Sequence, residues 1–130
     1  PIRHPLDCAV SNKKTGHADL FPGISADSSL PRVVTAILEE FQWFANLQVR
    51  FPDRFFHYFE HSFNRRMLTD MAEFLRLEPD ADWIENAQAA FKIKKHYDHA
   101  PELIAHYHAE VNRLFGDVPE FAEQLAIFVE

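Results

Sequence analysis

The longest run of regularly spaced apolar positions begins at Pro31. Val34, Ile37, Leu38, Phe41, Phe44, Ala45 and Leu47 recur at three- and four-residue steps until Pro52, which predicts one long amphipathic helix. The same period predicts helices from Asn64 to Leu75 (Met67, Leu68, Met71 and Phe74 inward), Ala81 to Ile93 and Pro101 to Phe115, with a last short one from Pro119 to Val129. Near the start, Pro5 suits an early helical position because a helix start does not use its missing N–H, and Asp7 complements the positive helix end. A short helix from Pro5 to Lys13 follows. Between the first two helices, Thr15 to Ser29 carries Gly16, Pro22-Gly23 and the cluster Ser25, Asp27, Ser28, Ser29, the composition of a long connection. Arg54-Phe55-Phe56-His57-Tyr58-Phe59, bounded by Pro52-Asp53 and a polar stretch, reads as a short buried strand.

A single strand cannot make a sheet, so this order is what part of an α/β domain would show. With 130 residues the chain is one unit or a piece of one. It opens at Pro1 without an initiator Met, and Pro1 to Pro5 reads like a strand end entering a loop. A preceding segment that supplies the strand's partners is therefore expected. Apolar residues at 47%, charged residues at 25% and thirteen Phe against three Gly argue for a folded globular chain rather than a disordered one. A net charge of −7 speaks against nucleic acid or anionic lipid as partners, so any anion must be held locally. One cysteine, Cys8, forms no internal disulfide, and neither a spanning apolar run nor a signal-peptide pattern is present. The expectation is a cytoplasmic chain without membrane contact.

The stretch richest in chemistry is Arg3-His4-Pro5-Leu6-Asp7-Cys8-Ala9-Val10-Ser11. Arg3 offers a planar fork for two phosphate oxygens, the Ser11 hydroxyl a neutral donor, and the adjoining helix start a partial positive charge. On physical grounds alone a plain helix start is the stronger reading of these residues, and phosphate binding the sharper one. Arg-x-Pro-x-Asp-x-Ala-x-Ser after a strand also resembles the 3′-phosphate-binding motif of sulfotransferases that use 3′-phosphoadenosine 5′-phosphosulfate, with the same Arg-to-Ser spacing. Phe56-His57-Tyr58-Phe59-Glu60-His61 is similar to that family's strand ending in Tyr-Glu-Asp-Leu. Phe74-Leu75-Arg76-Leu77 is similar to its Phe-Leu-Gly-Leu, and Tyr97 to Leu125 follows the layout of its C-terminal helices. Phe59-Glu60-His61 in place of Tyr-Glu-Asp, a shorter following turn and Arg76 in place of Gly depart from the pattern, which weakens any role carried over to Glu60.

The resemblance implies that residues 1–130 are the C-terminal part of a single α/β, P-loop-like sulfotransferase domain, this part being mostly helical with one or two short strands. It implies that Arg3 and Ser11 bind the donor's 3′-phosphate. Asp7 would be a helix-start and packing residue, and Leu20 to Ser29 would border a hydroxyl or amine acceptor on a small molecule, carbohydrate or peptide. The co-substrate would be 3′-phosphoadenosine 5′-phosphosulfate, with no metal. The family's Gly-rich 5′-phosphosulfate loop and its Arg-Lys-Gly-x-x-Gly motif are absent from the sequence, so the chain is expected to be inactive alone, its catalytic residues unassigned. Lys92, Lys94 and Lys95 form the nearest basic cluster, read as a solvated helix end. The competing class is a noncatalytic helical interaction module, which would self-associate or pair with the preceding segment.

Eight histidines raise a metal reading through His57 with His61, His96 with His99 and His106 with His108. The last pair would point about 200° apart on a helix, the first straddles a strand end, and His96 with His99 sits in a loop without a second ligand pair, so surface or capping roles are the plainer account. His17 and His61 are candidate general bases. The aromatic residues of 41–59 are read as core, with Trp43 off the Phe41/Phe44 face.

Overall fold

A computed structural model of the chain describes residues 1–93 and 97–130. Six α-helices carry the fold among these residues: α1 (Pro5–Thr15), α2 (Leu30–Arg50), α3 (Arg65–Phe74), α4 (Ala81–Ala90), α5 (Pro101–Phe115) and α6 (Pro119–Ala126). Single 3-10 turns occupy Ala18–Leu20, Glu60–Ser62 and Ile127–Val129.

Local chemistry explains the boundaries. Proline stands at the first or second position of α1, α2, α5 and α6, where a missing N–H costs nothing. The side chains of Ser29, Asn64 and Asp80 accept N–H bonds from Arg32, Met67 and Trp83, so α2, α3 and α4 each begin on a capping residue. α1 ends at Gly16, whose φ of 74° is the left-handed conformation that turns the chain out of a helix. α2 stops at Phe51, because the residue before Pro52 is driven out of the helical region.

Packing places α2 at the centre, against α1 on one side and α5 on the other, with α6 folded back onto α5. Leu6, Val33, Val34, Leu38, Tyr107 and Phe115 are fully buried there. Truncating Phe115 to Ala would cost about 3–5 kcal/mol at such a position. α3 and α4 enclose a smaller cluster of Met67, Leu68 and Ile84, which Phe56, Tyr58 and Phe63 cover.

The expected α/β, P-loop-like sulfotransferase fold is overturned: helices account for 66% of the structure, and the described residues hold no strand and no sheet. The arrangement is a helical bundle. The predicted strand at Arg54 to Phe59 is irregular backbone, whose pairing among the described residues is a single parallel bridge between Ile2 and Phe59. A ladder needs successive paired residues, and here the apolar side chains of the aromatic run are covered by helices rather than by neighbouring strands. Phe44 also departs from expectation. It is 50% exposed, and with Phe41, Phe55 and Phe56 it lines a largely apolar cavity of about 320 Å³.

Candidate functional site

The Ile2–Phe59 bridge joins the two segments singled out in the sequence. Ile2 N–H donates to the Tyr58 carbonyl at 2.7 Å, and Glu60 N–H donates to the Ile2 carbonyl at 2.9 Å. In extended backbone successive side chains alternate, so burying Ile2 sends Arg3 the other way, toward the surface. The bridge also sets Glu60 beside the beginning of α1. Its Oε1 accepts the His4 N–H at 2.9 Å, and its Oε2 lies 3.4 Å from Arg3 Nε. The Glu60 side chain is 7% exposed, while that of Arg3 is 64% exposed. Among the described residues the terminal nitrogens of Arg3 carry no hydrogen bond. A buried carboxylate demands compensation, and these two donors supply it.

His4 caps α1 from inside the protein, its Nδ1 accepting the Asp7 N–H at 3.4 Å. Asp7 in turn receives the Tyr97 N–H at 3.1 Å and Nε2 of His99 at 2.7 Å, both on Oδ1. A carboxylate oxygen only accepts, so Nε2 of His99 carries the hydrogen. Lys14 adds a second link between α1 and the segment before α5, its ammonium standing 4.3 Å over the Tyr97 ring. Phe128 closes the cluster from the C-terminal end, 5.3 Å from the His4 ring. Burial pushes the Cys8 thiol, on the same helix, above its ordinary range.

Ser11 stands on the exposed side of α1, two turns beyond His4. Its carbonyl accepts the Thr15 hydroxyl at 2.9 Å, and its own hydroxyl has no partner among the described residues. Arg3 and Ser11 are both exposed, and no hydrogen bond joins them among the described residues. Lys13 reaches from α1 across the connection before α2 and donates to the carbonyls of Ala26 and Ser28. This pins the second half of the Leu20 to Ser29 connection.

The other candidates sort by what holds them. Nε2 of His61 donates to the Gln124 carbonyl at 3.1 Å, Nδ1 lies 3.3 Å from the Ser62 hydroxyl, and the ring stacks on Phe59, so its nitrogens are occupied in joining the Glu60–Ser62 turn to α6. His17 is exposed and lies 3.2 Å from the Thr15 hydroxyl. Nε2 of His106 lies 3.1 Å from both the Thr35 hydroxyl and the Pro31 carbonyl. Trp43 is exposed and meets Phe44 edge-on. Lys94, Lys95 and His96, named in the basic cluster and the His96/His99 pair, lie outside the described residues.

One grouping was not read from the sequence. His4, Asp7 and His99 bring ligand-type atoms within 4.8 Å of one another. Hydrogen bonding accounts for their closeness: His99 donates to Asp7, and His4 accepts from the Asp7 backbone. The cluster ties chain segments together. No helix among the described residues is long and apolar enough to cross a membrane. No protein-family model, curated protein or solved structure matches the chain.

Proposed function

We propose that this chain supplies the 3′-phosphate-binding corner of a sulfotransferase that moves a sulfuryl group from 3′-phosphoadenosine 5′-phosphosulfate to a hydroxyl or amine. Arg3 is the principal ligand and Ser11 a secondary donor. The observation that carries this reading is the pairing of Arg3 with Glu60: a guanidinium held at Nε by a buried carboxylate, its terminal nitrogens toward solvent. Such a fork matches two oxygens of a phosphate, and a chain of net charge −7 has no broad basic field to do the same work.

Arg76 gives further support. It stands where the resembled Phe-Leu-Gly-Leu pattern has Gly, and its φ of 58° is the left-handed backbone that glycine adopts without strain. The reading rests on these local likenesses and not on an α/β sheet. The 5′-phosphosulfate would be held by residues outside this sequence, where positioning and charge stabilisation supply most of the catalysis of an in-line transfer. With a single free cysteine, Cys8, the proposed setting is a reducing cytoplasm.

Calorimetric titration with 3′-phosphoadenosine 5′-phosphate tests the site. Arg3→Ala is expected to weaken binding by roughly ten- to a hundredfold, the range for a lost charge-assisted hydrogen bond, and Ser11→Ala by less. Equal binding of the wild type and Arg3→Ala would overturn the assignment of Arg3. An absence of binding by the folded wild type would favour the second reading, a noncatalytic helical interaction module. The exposed Trp43–Phe44 pair on α2, 56% and 50% accessible, is the observation on its side.

A further inference from the structure

We infer that Glu60 is a positioning residue for the phosphate site, acting through Arg3; this rests on the reading of Arg3 as a phosphate ligand. A carboxylate is an unexpected neighbour for an anion site, since its charge repels the ligand. Were Glu60 only a structural acceptor, one oxygen on the His4 N–H would suffice. The structure uses both. Oε1 fixes the backbone at the start of α1, and Oε2 faces Nε, the inner nitrogen of the Arg3 guanidinium.

Because the guanidinium is planar and rigid, occupying Nε fixes the plane of the group and leaves the outer pair of nitrogens as a fork of set direction. Arginine otherwise loses rotamer freedom when it grips a ligand, and this clamp removes part of that loss in advance. Burial makes the clamp firm, since a carboxylate only 7% exposed has little water with which to exchange its partners. The parallel bridge at Phe59 holds Glu60 in place from its own backbone N–H, so three hydrogen bonds converge on the Arg3–Glu60 contact.

The sign of one substitution separates positioning from plain charge. Glu60→Gln keeps an amide oxygen for the His4 N–H but removes the acceptor that faces Nε. If the carboxylate acts on the ligand only through its charge, Glu60→Gln tightens binding of 3′-phosphoadenosine 5′-phosphate. Positioning gives the opposite: roughly tenfold weaker binding, with adenosine 5′-phosphate, which lacks the 3′ group, unchanged. In the Arg3→Ala background, Glu60→Gln has no further effect, because a residue that acts through Arg3 is silent without it.

A ligand-free readout keeps the clamp testable apart from the nucleotide. The Nε–H resonance of Arg3 is expected to be protected from solvent exchange in the wild type and to lose that protection in Glu60→Gln. Protection without nucleotide binding sinks the phosphate reading and leaves the clamp as a structural contact, which overturns the positioning role. Tighter binding in Glu60→Gln, or a further loss in the double variant, overturns it as well.

Discussion

Nε2 of His99 stands 2.7 Å from Oδ1 of Asp7, although 92 positions separate the two residues. Both side chains are largely buried, and the same oxygen also receives the Tyr97 N–H. One carboxylate thus joins the first turn of α1 to the segment that enters α5.

Asp7→Ala is therefore expected to destabilise the fold by about 1–3 kcal/mol, because it removes the acceptor of the buried His99 N–H. Asp7→Asn, which retains an amide oxygen, should cost less. His99→Ala should not add fully to Asp7→Ala, since both delete the same bond. Thermal unfolding of the wild type, the three single variants and the Asp7→Ala/His99→Ala double variant reads this as a drop in Tm of several degrees for Asp7→Ala and a sub-additive double variant. Additive losses would show that the two side chains act independently.

Tyr107 makes a second long-range tie. Its hydroxyl, fully buried on α5, donates to the Leu125 carbonyl of α6 at 2.7 Å. Burial pushes its ionisation far above the ordinary tyrosine value of 10.0. A raised folded-state value means that the unfolded chain loses the proton first, so stability is complete below about pH 10 and falls as the pH rises further, by at most about 1.4 kcal/mol per pH unit. Tyr107→Phe should cost about 1 kcal/mol at neutral pH and flatten the alkaline fall. Denaturant titrations across the alkaline range check both effects. An unchanged alkaline slope in Tyr107→Phe would place the loss elsewhere.

At the acid end the relevant group is His57, whose ring packs against those of Phe59 and Phe121. Burial lowers its pKa below the ordinary 6.5. Here the unfolded chain takes up the proton first. The contribution of His57 is complete above pH 6.5 and is lost as the pH falls below that value toward the depressed folded one. His57→Gln is expected to show a shallower decline of Tm between neutral and mildly acid pH. Parallel curves for the two proteins would mean that His57 is not the group responsible.

How much of this was legible in the chain depends on the range of the interaction involved. Helix starts were readable because Pro5, Pro31, Pro101 and Pro119 mark them chemically, and the period of Val34, Ile37, Leu38 and Phe41 fixes the inner face of α2. The run Phe55 to Phe59 was misread as a strand because five consecutive ring-bearing residues show no alternation. Whether such a run forms a ladder depends on a backbone partner elsewhere, and among the described residues only Ile2 bridges to it. Glu60 was discounted because its neighbours depart from the Tyr-Glu-Asp pattern, yet it is the member of that segment that reaches Arg3. The His4–Asp7–His99 cluster left almost no local signal, since His99 lies 92 positions from Asp7 and reaches it only once α1 and α5 have both packed against α2.

Arg76 tests the one place where a departure from the resembled pattern carries a backbone cost. It follows α3 with φ at 58°, and its N–H donates to the Glu73 carbonyl while Leu77 N–H returns to Ala72, so the chain is held in this conformation by the helix end itself. A side chain with a Cβ is less favourable there by about 1–2 kcal/mol, whereas glycine adopts it freely but gives up about 0.5–1 kcal/mol through the greater freedom of its unfolded chain. Arg76 is exposed and forms no ion pair among the described residues, so nothing else is lost on replacing it. Arg76→Gly is therefore expected to stabilise the protein by about 0.5–1 kcal/mol, and Arg76→Ala to leave stability nearly unchanged. Urea unfolding of the three proteins decides the matter: equal midpoints for Gly and Ala would show that the left-handed conformation is not held in solution.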